Sequence, residues 1–302
     1  MKLSEFRNKW RRPVKVKIAI IGGAGRMGRW FTRYFASKGH KIVISGVKLD
    51  KLKAFAQEAG VNFAENNAKA VKDADLAMIS VPIPVTTKVI REIAPHLRKG
   101  AVVTEIASLK FGITEALIEA SKLGVIPLSL HPLFGPGAQK LKENKIVVIP
   151  VVNSKAEIKL AKELFQEAQI IVADADTHDR LMALTISLPY FLNIAFASVL
   201  SEEDISTLKK FGGTTFAFQL TLTESVMNED SALHASIQMH GKYALKYVDA
   251  LLSKAEIVRK MIQEKNQKDF IDFYNEVQGS LSRDTDFFKA YEKVYKALEA
   301  LR

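Results

Sequence analysis

The sequence predicts an α/β domain with a doubly wound parallel sheet, followed by an all-helical domain. Two observations support this prediction. Up to residue 175, short apolar runs alternate with helical stretches, which is typical of parallel strands that helices cover on both faces. Beyond residue 176 the strand-like runs stop and long helical periodicities begin. We therefore expect a basic extension over 1–14, the α/β domain over 15–175 and the helical domain over 176–302.

The elements follow in order from their residue types. Runs of β-branched and apolar residues predict strands at "VKIAIIG", "HKIVISG", "ADLAMISVP", "AVVTEIAS", "VIPLSLHPL", "KIVVIPV" and "IIVAD". Apolar residues at helical spacing predict helices at "MGRWFTRYFASKG", "KLKAFAQEAG", "TTKVIREIAPHLRKG", "ITEALIEASKLG" and near 155–168. In the second domain they predict helices over roughly 177–200, 202–211, 213–228, 231–265 and 267–301. Because strands and helices alternate in the first domain, we expect its strands to be parallel.

The composition excludes several classes of protein. The chain has 302 residues and no cysteine, so neither disulfides nor cysteine nucleophiles are available. It has no uninterrupted apolar run of 18 residues and no secretory signal pattern, so we expect a cytoplasmic protein without a membrane span. The net charge is +11, but the lysines are spread along the chain beyond its first 17 residues. Nucleic-acid binding needs a local basic patch, so we do not expect a nucleic acid as partner.

A glycine motif follows the first predicted strand. The residues Gly23-Ala24-Gly25-Arg26-Met27-Gly28 match G-x-G-x-x-G between a strand and a helix, the context in which this pattern binds a dinucleotide. In a Rossmann-type domain the first glycine permits the tight turn, the second lets the backbone approach a pyrophosphate, and the third lets the helix pack closely. A purely structural glycine turn is the alternative. The motif predicts a nicotinamide dinucleotide cofactor.

Two further stretches bear on that cofactor. NAD sites usually carry an acidic residue at the end of the second strand, whereas here the chain reads Ser45-Gly46-Val47-Lys48. A hydroxyl and an ammonium group suit a 2′-phosphate, so we favour NADP over NAD, unless Lys48 is only a solvated loop residue. The nicotinamide ribose is expected beside the end of the strand "ADLAMISVP". The residues expected there are Ser80, Val81, Pro82 and Thr86, although the prolines could serve only to shape the loop.

Polar residues at two later strand ends predict the reacting groups. Ser108 and Lys110 follow one strand, and His131 ends the next. Ligands of an open α/β sheet gather at the carboxyl ends of its strands, so all three residues point to one crevice. A histidine there can take the proton from a hydroxyl that is being oxidised. We therefore predict His131 as a catalytic residue, with the polar groups of Ser108 and Lys110 at the same crevice.

These segments resemble the prephenate/arogenate dehydrogenases of tyrosine biosynthesis. The matching stretches are "GGAGRMGRWF", "SVPIPVTTKVI", "EIASLKFG", "HPLFGPGAQ" and "THDRLMALTISLPYF". The resemblance implies an NAD(P)-dependent oxidative decarboxylation of prephenate to 4-hydroxyphenylpyruvate, without a metal. It implies that His131 accepts the ring hydroxyl proton, that Ser108 orients His131 and the hydroxyl, and that Lys110 holds either the cofactor or the geometry of the motif. It also implies a homodimer formed through the helical domain.

For the substrate, the resemblance places His178 near the mouth of the site, but two features depart from the family. The family's second histidine, twelve residues after His178, is Tyr190 here. The family's carboxylate-binding arginine has no counterpart, because "GGTTFAFQLTLTESVMNED" contains no basic residue. We predict His178, Tyr190 and Gln219 as substrate-binding residues. Other candidates for the missing group are Thr215, His240, Arg180, Lys242 and a group from a partner subunit.

The missing arginine leaves alternatives open. Arogenate is one alternative substrate. A β-hydroxy acid dehydrogenase or an imine reductase of the same architecture is a second alternative. A non-enzymatic, cofactor-sensing protein whose basic N-terminal arm contacts nucleic acid is the third. No histidine pair has the spacing of a metal site, since His234 and His240 are six residues apart.

Overall fold

The computed structural model describes residues 15–300, and the predicted basic extension over 1–14 lies outside them. The described chain forms two compact units. The first runs to Met182 and takes in His240–Lys242, and the second comprises Ala183–Met239 and the chain from Tyr243 onward.

The first unit is built on an eight-stranded sheet with helices along the chain between most of its strands. Its strands are β1 Lys17–Ile21, β2 Lys41–Ser45, β3 Asn62–Phe63, β4 Leu76–Ile79, β5 Val102–Glu105, β6 Ile126–Pro132, β7 Lys145–Ile149 and β8 Gln169–Val172. Its helices are α1 Arg26–Ser37, α2 Leu49–Ala59, α3 Asn67–Val71, α4 Ile83–Ile93, α5 Ile113–Ser121, α6 Ser154–Leu164 and α7 Ala175–Met182. The predicted α/β class is confirmed.

The strand order is β3-β2-β1-β4-β5-β6-β7-β8, so the order reverses beside β1. At this switch point the connections from β1 and β4 diverge to opposite sides of the sheet and leave a crevice at the carboxyl ends of the strands. The sequence places the glycine motif, Ser45 and Ser80 at the ends of β1, β2 and β4, which are adjacent in the sheet. The fold thus brings the predicted cofactor residues to one edge.

One strand departs from the expected parallel pairing. β7 is antiparallel to β6, with His131 opposite Val147. The connection from Pro132 to Lys145 contains no helix, so the chain has no crossover with which to return to the starting edge of the sheet. It turns back directly instead. All the other strand pairs are parallel.

Hydrophobic cores cover both faces of the sheet. Along β1, Ile18 and Ile20 belong to one core cluster, whereas Ala19 and Ile21 belong to the other. Side chains of a strand point alternately to opposite faces, so both faces of β1 are buried. This explains why β1 reads as a continuous apolar run.

The second unit is helical in the described chain. It contains a π-helical stretch Ala183–Ser187, then α8 Leu188–Leu200, α9 Ile205–Phe211, α10 Thr214–Met227, α11 Ser231–His240, α12 Ala244–Gln263, α13 Gln267–Leu281 and α14 Ala290–Ala300. Two helices expected to be continuous are each divided. The first break falls at Gly241, a poor helix former. The second falls after Leu281, where the Asp284 carboxylate accepts from the Asp286 amide at 3.0 Å and so competes with the helical pattern.

The helix over Ala175–Leu200 has the length and hydropathy of a membrane span. Its most apolar 18-residue window has a mean hydropathy of 1.7, and only 17% of that window is buried. The sequence has no uninterrupted apolar run of 18 residues and so predicts no span, but the average hydropathy of this helix is as high as that of a membrane span. One such helix is weak support for a membrane span, because the core helix of a soluble protein passes the same test of length and composition.

Candidate active site

The chain turns tightly after β1. The amides of Gly22 and Gly23 donate to the carbonyl of Ser45 at 2.8 and 3.1 Å, and the Gly25 amide donates to the Gly22 carbonyl at 2.9 Å. A Cβ atom on Gly28 would lie 2.1 Å from the Gly22 oxygen, and one on Gly23 would lie 2.6 Å from Cβ of Ile44. Side chains at these positions would therefore open the turn.

This turn leaves the N-terminus of α1 suited to an anion. Gly25 caps the helix without a side-chain hydrogen bond, and the first turn contains no acidic residue. The first amide groups of a helix lack intrahelical partners and attract negative charge. Arg26 is exposed at the first helical position, while Met27 packs against the core and the Ala24 carbonyl accepts from Arg29 Nε at 3.0 Å. The residues of the motif fit the pyrophosphate of a dinucleotide.

The structure assigns Ser45 a different role from the predicted one. Its side chain is fully buried, and its Oγ donates to Asn67 Oδ1 at 2.8 Å. With its carbonyl bound to the glycine turn, Ser45 shapes the crevice and has no hydroxyl to offer a ribose. Lys48 is exposed and has no ion-pair partner within the described range, so its ammonium group is available.

The end of β4 contributes backbone more than side chains. The Ser80 amide donates to the Ile21 carbonyl at 2.8 Å, and Val81 and Pro82 lead into α4. Thr86 is 1% exposed, and its Oγ1 donates to the Pro82 carbonyl at 3.2 Å. The predicted contact of Thr86 with cofactor is therefore replaced by a role in closing the first turn of α4.

A buried ionic network connects the end of β5 to β6 beside His131. Nζ of Lys110 is 2.7 Å from Glu105 Oε1 and 2.7 Å from the carbonyl of Leu130, and both charged side chains are fully buried. Glu105 also accepts from Ser129 Oγ at 2.6 Å and from the Ala107 amide at 2.7 Å. Lys110 therefore cannot reach a substrate. Its predicted catalytic role is corrected to that of a tie between the end of β5 and the residue that precedes His131.

His131 meets a second imidazole. Its Nδ1 lies 2.9 Å from Nε2 of His178, and the Nδ1 of His178 lies 2.8 Å from Oδ1 of Asp179. The Asp179 carboxylate also accepts from the amides of Lys110, at 2.9 Å, and Phe111, at 3.0 Å. The three side chains form a continuous buried chain of hydrogen bonds.

This chain changes the predicted roles of two residues. Both ring nitrogens of His178 are occupied and its side chain is 1% exposed, so His178 cannot bind a substrate directly. Ser108 is half-buried and has no hydrogen bond to His131, so the orienting role expected of it falls to His178. Sequence reasoning missed Asp179, although the "HD" dipeptide that contains it was the available signal.

Burial and charge keep the His131 imidazole neutral. Burial lowers its pKa well below the usual value, and the cation of Lys110 and the neighbouring His178 lower it further. Burial also lowers the pKa of His178, but there the hydrogen bond that its Nδ1 donates to Asp179 raises the pKa. The free nitrogen of His131, Nε2, has no hydrogen-bond partner in the described part of the chain. This geometry makes Nε2 a proton acceptor.

The two candidates from the helical unit, Tyr190 and Gln219, contact other residues of that unit. The ring of Tyr190 packs edge-on against buried His234, with the ring centroids 4.5 Å apart. Nε2 of Gln219 donates to Asn193 Oδ1 at 2.9 Å, and the same oxygen accepts from Thr223 Oγ1 at 2.7 Å. The Gln219 amide nitrogen therefore joins α10 to α8, and only its carbonyl oxygen is left for a ligand.

Comparisons with known proteins identify the family. The model of the prephenate dehydrogenase nucleotide-binding domain matches residues 31–180, and that of the prephenate dehydrogenase dimerization domain matches residues 174–276. The chain belongs to the prephenate/arogenate dehydrogenase family. The probable arogenate/prephenate dehydrogenase of Methanocaldococcus jannaschii is 30% identical over 265 residues, which is 86% of this chain. The chain spans 59% of that relative's own length.

Solved structures of this family share the fold. Prephenate dehydrogenase from Aquifex aeolicus, in complex with hydroxyphenyl propionate and NAD+, superposes with a TM-score of 0.71 at 18% identity and covers 89% of this chain and 98% of its own. Synechocystis arogenate dehydrogenase superposes with a TM-score of 0.66 at 18% identity and covers 88% of this chain and 99% of its own. The family model that matches residues 31–180 describes a nucleotide-binding domain. The glycine motif precedes the matched range, so its role rests on the geometry of the turn.

We expect Gly28→Ala to weaken dinucleotide binding by at least about 10-fold, because the new methyl group would meet the Gly22 carbonyl and displace the turn. Binding is measured by titration calorimetry with NAD and NADP. The control is Gly279→Ala on α13, where an added Cβ meets nothing within 4 Å. Equal affinity of Gly28→Ala and the control would contradict the role given to this turn.

The free energy of unfolding should fall as the pH is lowered through about 6.5, the ordinary pKa of histidine. His131 and His178 have lowered pKa values in the folded state, so the unfolded state binds more protons in this range and acid favours unfolding. Denaturant titrations between pH 7.5 and 5.5 measure the slope. It should be shallower in His131→Gln and unchanged in His96→Gln, which replaces an exposed histidine. The same slope in both variants would rule out neutral burial of His131.

Proposed function

We propose that this protein oxidises prephenate with loss of carbon dioxide to 4-hydroxyphenylpyruvate, using NAD(P). The observation that carries the proposal is the imidazole of His131. Its Nδ1 is held by His178 and its Nε2 is unpaired, at the same sheet edge as the glycine turn. The family membership supports a cyclohexadienyl compound as the substrate.

The residues of the chain supply orientation and a proton acceptor. His131 Nε2 accepts the proton of the substrate hydroxyl, and the low pKa of the ring keeps this nitrogen unprotonated beforehand. The glycine turn and the N-terminus of α1 would hold the dinucleotide, and a bound nicotinamide would supply the hydride acceptor for the carbon that bears the hydroxyl. Loss of the ring carboxylate makes the product aromatic, which makes the reaction strongly downhill. The buried network under β6 holds His131 in place throughout.

Arogenate is the second candidate substrate. It differs from prephenate in carrying an amino group where prephenate has a keto group, away from the reacting ring. The M. jannaschii relative bears both substrate names, and one structural neighbour is an arogenate dehydrogenase. Because the chemistry at His131 is the same for both, only turnover of each compound separates them.

We expect His131→Asn to lower kcat by about 100-fold or more, the usual effect of losing a general base. The assay follows absorbance of the reduced nicotinamide, with prephenate or arogenate and with NAD or NADP. His96→Asn is the matched control, because His96 is exposed on the 3-10 turn after α4. Full activity of His131→Asn would show that another group takes the proton. No turnover of either compound by the unmodified protein would refute the proposed function itself.

For the cofactor we propose NADP in preference to NAD. No acidic residue follows β2 before Asp50, and exposed Lys48 lacks an ion-pair partner among residues 15–300. Arg26, exposed at the start of α1 on the neighbouring strand connection, adds a second cation. Guanidinium and ammonium groups both bind phosphate, so these two residues favour the 2′-phosphate.

Lys48→Asp should shift the ratio of kcat/KM for NADP to that for NAD by about 10-fold or more toward NAD, since a carboxylate repels the 2′-phosphate and can bind the 2′-hydroxyl. Steady-state kinetics with both cofactors measure the ratio. Lys159→Asp makes the same change of charge on an exposed face of α6 and serves as control. An unaltered ratio in Lys48→Asp would leave Lys48 as a surface residue.

We also propose a homodimer formed through the helical unit. The matching dimerization-domain model supports it, and so does the apolar surface of this unit. In the described part of this unit, large apolar residues with more than half of their surface exposed include Val199, Phe211, Met227, Met239, Leu245, Leu252, Ile262, Leu281 and Phe288. A set this large marks an interaction surface.

Sedimentation velocity at micromolar concentration should give about twice the 33.6 kDa chain mass. Val199→Glu should dissociate the dimer, because a carboxylate in an apolar interface loses its hydration without gaining a partner. Lys159→Glu, on α6 of the other unit, should leave the mass unchanged. A monomeric unmodified protein would contradict the proposed assembly.

A further inference from the structure

The hydrogen bonds around His178 determine where its protons lie. Asp179 Oδ1 accepts at 2.8 Å from His178 Nδ1, which therefore carries hydrogen. In a neutral imidazole the other nitrogen is then an acceptor, so His178 Nε2 accepts from Nδ1 of His131. The His131 ring in turn has its lone pair on Nε2. Asp179 thus sets the tautomers of both rings.

Asp179 is well fixed for this task. It is 5% exposed, and its carboxylate accepts from the backbone amides of Lys110 and Phe111 as well as from His178. Hydrogen bonds from amides stabilise the ionised form of a carboxylate. The negative charge therefore lies on the far side of His178 from His131.

The charges around the two rings differ. His131 is adjacent in the chain to Leu130, whose carbonyl binds the Lys110 ammonium, and that cation disfavours a positive charge on His131. His178 feels the same cation, but it also contacts the Asp179 carboxylate and feels the charge of Glu105. A proton accepted at His131 is therefore better stabilised when its charge rests on His178.

We propose that His131 and His178 form a two-imidazole proton relay in which the charge comes to rest on His178 beside Asp179. The O–H bond of the substrate breaks and a bond from the proton to His131 Nε2 forms. The Nδ1–H bond of His131 breaks, and that proton forms a new bond with His178 Nε2. His131 ends neutral with its tautomer exchanged, and His178 ends as an imidazolium paired with Asp179. The relay deepens the proposed function and rests on it for the identity of the proton donor.

The first test needs no turnover. The full chain is labelled with 15N-histidine, and the two rings are assigned with His131→Gln and His178→Gln. At pH 8 both rings should carry hydrogen on Nδ1. On acidification, the second proton should appear on His178 at a higher pH than on His131. Hydrogen on Nε2 of His131 at pH 8, or an imidazolium that forms first at His131, would overturn the relay.

The second test separates relay from orientation. In His178→Gln the amide oxygen can still accept from His131 Nδ1 but cannot take up its proton. We expect kcat to fall by about 100-fold with KM within about 2-fold, while His96→Gln retains both. In H2O–D2O mixtures, kcat of the unmodified protein should vary with a curvature that indicates two moving protons. If kcat of His178→Gln stays within about 3-fold of the kcat of the unmodified protein, His178 only orients His131. A linear dependence of kcat on the deuterium fraction in the unmodified protein would show the same. Absence of turnover with either substrate would refute the proposed function, whereas the tautomer measurement would still decide the hydrogen-bond pattern.

Discussion

A single buried carboxylate, that of Asp179, joins the three chain segments around His131. It binds two amides of the segment after β5 and one nitrogen of His178, and His178 binds His131. The segment after β5, helix α7 and strand β6 are thereby held to one another. The direction of every hydrogen bond in the chain follows from the fact that a carboxylate can only accept. The free lone pair on His131 is the consequence.

Close to this series of hydrogen bonds, the fully buried ion pair of Lys110 and Glu105 makes the site rigid at an energetic cost. Burying two charges is expensive, and a buried pair often contributes little net stability. Here each charge has further partners, the Leu130 carbonyl for Lys110 and the Ser129 hydroxyl for Glu105, so the desolvated groups are satisfied. The pair also places a cation close to the His131 imidazole, whose pKa is lowered first by burial and further by this cation. Placement of the His131 imidazole and part of the lowering of its pKa thus come from one network.

The helical unit follows a different principle. Its interior contains a small polar network around Asn193, whereas much of its apolar surface is exposed in one chain. This combination suits a domain that packs against a second copy. The departures from the family pattern, Tyr190 and the missing arginine, fall in the unit through which we propose that the chain dimerises.

The sequence by itself determined the fold class and the glycine turn, because strand periodicity and glycine geometry are local properties, and it predicted from motif order a role for His131 that stays a prediction. It did not determine which polar groups would form hydrogen bonds with other residues of the protein and so be unavailable to a ligand. Ser45, Thr86 and Lys110 have the residue types of ligand-binding groups, but other residues bind their polar atoms: Asn67 and Leu130, about 20 residues away, bind Ser45 and Lys110, and Pro82, in the preceding helical turn, binds Thr86. The antiparallel β7 and the contact between His131 and His178, 47 residues apart, likewise depend on the paths of long connections. Only the tertiary structure decided these points, since hydrogen bonds in a buried site are exclusive and long-range packing chooses which are made.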